Sequence, residues 1–161
     1  PQSNLKLASG IAPVASMLEK GLTVGLGTDG ASSNNNLDML EEVRLAALLA
    51  KTESGNPKAV PAAQALAMGT VQGAKAVGYD DLGQLAVGQR ADIVLYNMDS
   101  PHWYPRHDRV SLLVYAASAQ DVDTVLVDGR VLLQNKELTT IDLEKVIFEV
   151  NRCIEYVLPK N

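Results

Sequence analysis

Leu22-Thr23-Val24-Gly25-Leu26-Gly27-Thr28-Asp29-Gly30 is the stretch on which the reading of this chain turns. Leu22, Val24 and Leu26 alternate with small residues, the pattern of a short strand with a buried apolar side. The strand delivers one carboxylate, Asp29, into a polar turn. Gly27 and Gly30 flank the acid and are expected to take backbone conformations closed to other residues. A carboxylate at the C-terminal end of a buried parallel strand sits where α/β barrels place their chemistry. Such an acid can hold a metal, move a proton, or do both. Asp before Gly is also a common plain turn, because Asp tolerates that geometry and bonds its own backbone. The residues alone leave both readings open. Gly25, Gly27 and Gly30 also spell G-x-G-x-x-G. That fingerprint requires a helix opening directly on the glycines and a second strand ending in an acid about 20 residues on. Here residues 31–36 read as a polar loop, followed by a long helix with no strand after it. A nucleotide-cofactor oxidoreductase is therefore weakly supported.

Working outward, Pro13 suits the first turn of a helix over 11–21 and Gly21 suits its C-terminal cap. With the strand at 22–27 this makes an α–β half-unit. Asn34, Asn35 and Asn36 are candidate N-caps for a helix from Leu37 to about Thr52. Leu37, Leu40, Val43, Ala47 and Leu48 recur at helical spacing and give it one apolar face. Glu41, Glu42 and Arg44 read as its solvated side, and Met39 and Met68 as core. Capping of this helix is sufficient to explain Ser32, Ser33 and Asn34. A polar loop over 51–58 leads to two short helices, 61–68 and 70–77, split near Gly69. Beyond residue 80 the pattern changes. It predicts a strand over 91–97, a helix over 109–118 capped by Asp108, and a hairpin of 122–128 with 130–134 around Asp128-Gly129. A last amphipathic helix runs over about 142–158 and stops at Pro159.

The 161 residues suffice for one core of ordinary size. Hydrophobic residues make up 47% and charged residues 20%, values of a folded globular protein. The net charge of −5, with no basic cluster, argues against nucleic acid or an anionic membrane as a partner. Cys153 is the single cysteine, so no internal disulfide forms. Its helical setting predicts a buried core thiol, and a reducing, cytoplasmic setting is expected. The sequence shows no signal-peptide pattern and no apolar run long enough to span a membrane.

Two motifs carry a family resemblance. Pro1-Gln2-Ser3-Asn4-Leu5-Lys6-Leu7-Ala8-Ser9-Gly10 and Gly27-Thr28-Asp29-Gly30-Ala31-Ser32-Ser33-Asn34-Asn35 resemble the last two barrel-strand motifs of the metal-dependent amidohydrolase superfamily. Within it they look like the 5-methylthioadenosine/S-adenosylhomocysteine deaminase branch, which is itself similar to chlorohydrolases and guanine deaminases. Gly83-Gln84-Leu85 through Gly88-Gln89-Arg90-Ala91-Asp92-Ile93-Val94 resembles the family's entry into a small β-domain, and Val127-Asp128-Gly129-Arg130-Val131 that domain's closing hairpin. The resemblance runs from residue 1 to about residue 150. It implies an α/β fold: the C-terminal part of a (β/α)8 metal-dependent hydrolase barrel plus part of a small β-sandwich domain. Residues 1–78 are then the end of the barrel, 79–137 part of the β-domain, and 138–161 a helix packing back on the barrel. The chain, which opens on Pro1 rather than Met, is expected to be the C-terminal portion of a longer protein. Two barrel units cannot close a barrel of eight, so strand edges and helix faces are expected to lie uncovered.

The resemblance also implies a chemistry. One metal per intact subunit, zinc or alternatively Fe²⁺, sits at the barrel mouth, held by a His-x-His pair, a further His and one Asp. Asp29 matches that Asp. It would bind the metal, contact the substrate, and act catalytically by taking a proton from the attacking water and passing it to the leaving group. The implied substrate is a purine nucleoside thioether, deaminated at its adenine ring with release of ammonia. A guanine deaminase or a chlorohydrolase is the alternative within the superfamily, and a non-catalytic structural fragment the alternative outside it. The histidine ligands and purine-reading residues would belong to a missing N-terminal part, without which this chain is expected to be inactive. The intact protein is expected to be a homo-oligomer. His102 and His107, the only histidines, lie five apart in a Pro-broken loop; they read as packing and capping groups beside Trp103 rather than a zinc site. Ser3 and Asn4 would follow the preceding barrel strand and orient the Asp29 loop by hydrogen bonding, with an ordinary N-terminal turn as the other reading.

Overall fold

The computed structural model describes residues 1–157, apart from the side chain of Glu155. Pro159, the expected stop of the last helix, lies outside the described residues. The chain opens on two short helices, α1 (Gln2–Lys6) and α2 (Val14–Glu19), followed by the extended segment 22–30 and a single helical turn, α3 (Ala31–Asn34). Three helices follow: α4 (Met39–Ser54), α5 (Ala62–Gly69) and α6 (Val71–Ala76), of which α4 and α5 build most of the main core. Beyond them come β1 (Ile93–Tyr96), α7 (Arg109–Tyr115), the strands β2 (Val122–Val127), β3 (Arg130–Gln134) and β4 (Glu137–Leu138), and α8 (Leu143–Val157).

Val43, Ala46, Ala47 and Ala50 of α4 pack with Ala62, Ala65 and Met68 of α5 and with Val60 and Val114. Small residues let these helices approach closely. A Cβ on Gly69 would lie 2.6 Å from Val43 Cγ2. The face of α4 expected to be apolar is buried at Leu40, Val43 and Ala47, and the buried face extends to Glu42, Ala46 and Ala50. Leu37, which precedes the helix, and Leu48 are exposed, and so is Met39, whereas Met68 is fully buried as anticipated. The N-cap is also corrected. Asp38, not one of the three asparagines, caps α4, its Oδ1 accepting from Leu40 N (2.8 Å) and Glu41 N (3.2 Å).

Arg44 is not a solvated residue. Its Nε donates to Val114 O (3.0 Å) and its Nη2 to Ala117 O, satisfying carbonyls at the C-terminal end of α7. This tie joins the helical core to a second cluster of Leu40, Trp103 and Ala117. At its other end α7 is capped as expected: Asp108 Oδ1 accepts from Val110 N and Ser111 N.

The four strands form one antiparallel sheet in the order β1-β2-β3-β4. The expected hairpin is present, with Val127 opposite Arg130 and a two-residue turn in which Asp128 (φ 49°) and Gly129 (φ 76°) are both left-handed. Segment 22–27 differs from expectation. It is extended, yet among the described residues it forms no sheet ladder. Its link to the core is the bond from Leu26 N to Met68 O (3.2 Å), with Val24 and Leu26 packed against the main cluster. A parallel strand is stable only between neighbours, and no other strand of the described chain lies beside it.

α8 buries none of its described residues. Leu143, Val146, Ile147, Val150, Ile154 and Val157 are all exposed. Cys153 is exposed with them, so the expected core thiol is corrected: a thiol on a helix is covered only when the helix itself is. No helix of the described residues is long and apolar enough to cross a membrane.

Candidate functional site around Asp29

Asp29 stands at the end of the extended segment, immediately before α3. The left-handed residue in this turn is Asp29 itself, at φ 68°; Gly30 is extended at φ −76°, ψ 158°, and Gly27 is not left-handed. The flanking glycines therefore do not serve the role expected of them. A side-chain-bearing residue in this region costs about 1–2 kcal/mol, and Asp is among the few that visit it routinely, because its short side chain bonds locally. Here Asp29 Oδ1 accepts from Gly30 N (2.7 Å) and Oδ2 accepts from Ser33 Oγ (2.7 Å). Gly25 has a different purpose. A Cβ there would lie 3.1 Å from Gly73 Cα and 3.3 Å from Ala76 Cβ, so the glycine lets the segment press against α6.

The hydroxyl of Ser33, foremost, and the amide of Gly30 hold the exposed Asp29 carboxyl below its ordinary value of 3.8. With the folded-state pKa depressed, the favourable interaction is fully present at neutral pH and is lost as pH falls through the folded value, below 3.8. Ser33→Ala removes the larger cause. A carboxylate titration of the metal-free protein by NMR should place Asp29 nearer 3.8 in that variant than in the wild type; an unmoved midpoint would show that the hydroxyl does not bind the ionised form.

Ser3 is buried and reaches the same turn. Its Oγ donates to Thr28 O (3.3 Å) and lies 3.4 Å from Ser33 Oγ. Asn4 is turned elsewhere. It is exposed and lines an open hollow of about 250 Å³ with Ile11, Met17, Val24, Leu26 and Leu49. Among the described residues its side chain makes no hydrogen bond to the Asp29 turn. The structure therefore brings Ser3, but not Asn4, to Asp29.

Two polar groups behind the turn, read in the sequence as a cap (Asn34) and a solvated residue (Glu42), are buried. Asn34 and Glu42 are both 0% exposed. Asn34 Nδ2 donates to Glu42 Oε1 (2.8 Å), and Asn34 Oδ1 accepts from Leu37 N (2.7 Å). Glu42 is thus corrected from a solvated residue to a fully buried one. A signal was available: Glu42 precedes Ala46 and Ala50 at four-residue spacing, and that stripe is the buried one.

Asp29 fits one position of a metal site. A carboxylate offers about four acceptor directions, of which two are occupied here, so a metal can still be bound. Zinc sites use three or four protein ligands, however. Among the described residues no group of three or more His, Cys, Asp or Glu side chains converges to supply them. His102 is committed elsewhere, its Nε2 2.9 Å from Asp121 Oδ2 and its ring packed beside Trp103, as the loop reading anticipated.

Comparison with known proteins places these features. The model of the amidohydrolase family matches residues 1–132. A 5-methylthioadenosine/S-adenosylhomocysteine deaminase of Dictyoglomus thermophilum is 55% identical over 152 residues, which are 94% of this chain and 36% of that protein. A 5'-deoxyadenosine deaminase of Methanosarcina acetivorans is 52% identical over 160 residues, 99% of this chain and 37% of that protein. The crystal structure of an adenosine deaminase from Xanthomonas campestris with bound zinc superimposes with a TM-score of 0.94 at 36% identity, covering 98% of this chain and 36% of that one. The chain therefore spans little more than a third of the length of the curated relatives it matches. Its architecture is part of the barrel-plus-β-domain fold expected from the motifs.

Proposed function

Because the chain belongs to the amidohydrolase family, we propose that it is the C-terminal part of a metal-dependent hydrolytic deaminase acting on the adenine ring of 5-methylthioadenosine or S-adenosylhomocysteine. The observation that carries the reading is Asp29: an exposed carboxylate, fixed by two donors in a left-handed turn, in the motif where the family keeps its aspartate. The two donors orient the carboxylate while leaving acceptor directions open to a ligand.

In this reading Asp29 contributes one ligand to a divalent metal, zinc by the chemistry of a nitrogen and oxygen donor set, with Fe²⁺ as the alternative. Such a metal, when bound, brings the pKa of water toward 7. The work of this chain is on the protons. Asp29 is ionised at neutral pH, and its unoccupied acceptor directions can take a proton from the attacking water. The same oxygen then returns that proton to the departing amine, which leaves as ammonia. Ser33 and the Gly30 amide keep the carboxylate from rotating between the two steps. Ser3 holds the carbonyl of Thr28 just before it.

The histidine ligands and the residues that read the purine are proposed to lie in the remainder of a longer, homo-oligomeric, cytoplasmic protein, so the 161-residue chain alone is expected to be inactive. The intact protein should release ammonia from S-adenosylhomocysteine or 5-methylthioadenosine and not from guanine. Deamination of guanine alone would move it to the guanine deaminase branch. No deamination of any of the three by a metal-replete sample would overturn the assignment to the deaminases, leaving chlorohydrolase chemistry or a non-catalytic role.

A further inference from the structure

We propose that Glu42 is a positioning residue for Asp29, acting through Asn34 and Gln2; this rests on the reading of Asp29 as the catalytic, metal-holding acid. A fully buried carboxylate is costly unless every acceptor is satisfied, and an apolar residue in line with Ala46 and Ala50 would be cheaper. Glu42 is retained where two segments meet. Its Oε1 accepts from Asn34 Nδ2 (2.8 Å) and its Oε2 from Gln2 N (3.1 Å). The Pro1 nitrogen also contacts Oε2. In a longer chain that nitrogen would carry no hydrogen, which leaves the Gln2 and Asn34 donors.

Each of those donors begins a short path to Asp29. On one side Asn34 N donates to Gly30 O (2.9 Å), closing the turn in which its neighbour Ser33 grips Asp29 Oδ2. On the other side Gln2 precedes Ser3, whose hydroxyl holds Thr28 O. The two paths are cross-linked, because Gln2 Nε2 donates to Asn34 O (3.3 Å). Among the described residues Glu42 accepts from both Gln2 and Asn34. It is anchored in turn by the first turns of α4, a rigid sixteen-residue helix in the main core. Between these ties the backbone is left-handed at Asp29, Asn35 and Leu37. Such a conformation persists only where its surroundings over-determine it. Glu42 transmits the position of α4 to the acid.

The test exchanges the two partners in the intact protein. Glu42→Gln keeps the volume but sets an amide N–H₂ against either Gln2 N–H or Asn34 Nδ2, two donors facing each other. In the combined Asn34→Asp, Glu42→Gln variant the amide and the carboxylate change places and the bond is restored in reverse. We expect Glu42→Gln to lower kcat about 10–100-fold, the range for partners that orient a metal ligand, with KM changed far less. In the metal-free protein, amide hydrogen exchange over 28–37 should quicken. The exchanged pair should recover most of both. A Glu42→Gln variant with wild-type kcat and unchanged exchange would overturn the proposal, and so would a folded exchanged pair that recovers neither. If Glu42→Gln does not fold, Asn34→Ala, which leaves Glu42 its Gln2 donor, replaces it: reduced kcat with faster exchange supports the proposal, and wild-type values for both overturn it. If the wild type deaminates nothing, the functional reading fails by itself, and the exchange measurement alone decides whether Glu42 holds the turn.

Discussion

Asn in place of Asp29 should lower kcat of the intact protein by at least about 10²–10⁴-fold, the range for loss of a general base alone, with a smaller effect on KM. The backbone should not move. Asn is tolerated in the left-handed region as well as Asp, and the amide oxygen can still accept from Gly30 N, as Asp29 Oδ1 does at 2.7 Å. Ser33 Oγ, which now donates to Oδ2, can rotate and accept from the new N–H₂. What is lost is the negative charge and the site for the proton, the two properties the proposed mechanism needs. The measurement is kcat with metal content determined on the same sample, so that weaker metal binding and lost proton transfer are separated. A metal-replete Asp29→Asn enzyme with near-normal kcat would return Asp29 to the status of a turn residue.

Ala in place of Gly83 should destabilise the intact protein by about 2–5 kcal/mol. Gly83 has φ +85°, where a side chain costs about 1–2 kcal/mol. The new Cβ would also lie 2.6 Å from both Val71 N and Val71 Cα and 2.7 Å from Thr70 C. These are backbone atoms at the start of α6 and cannot swing aside, so overpacking adds about 1–3 kcal/mol. Gly88 is the internal control. At φ +89° it has the same conformational requirement, but nothing lies within 4 Å of its Cβ position. Gly88→Ala should therefore show only the smaller, conformational loss. Urea unfolding midpoints of the two variants and the wild type distinguish the terms. Equal losses at the two positions would mean that the contact with Val71 relaxes freely.

Much of the local structure was legible because short-range chemistry dictates it. Asp108 caps α7 from two residues away, and Asp128-Gly129 makes the hairpin turn that its own φ angles allow. The alternating run that ends at Asp29 did mark the segment that carries the candidate acid. Two kinds of feature were not legible. One depends on neighbours: residues 22–27 carry a strand pattern but remain unpaired, and α8 carries an apolar face but remains uncovered, because a pattern states what a segment can bury and not whether a partner is present. The other depends on how far around a helix the buried face extends. Whether Glu42 and Arg44 faced water or the core was decided by which stripe of α4 met α5 and α7, and three-dimensional packing chose the stripe with the small residues. The sequence by itself determined the longer helices, the Asp128-Gly129 hairpin and the place of the candidate acid, all set within a few residues along the chain. Only the tertiary structure decided that Ser3, Ser33, Asn34 and Glu42 stand behind that acid and that Asn4 does not. Residues separated by up to forty positions are brought together there by helix packing, and no local preference encodes which of them meet.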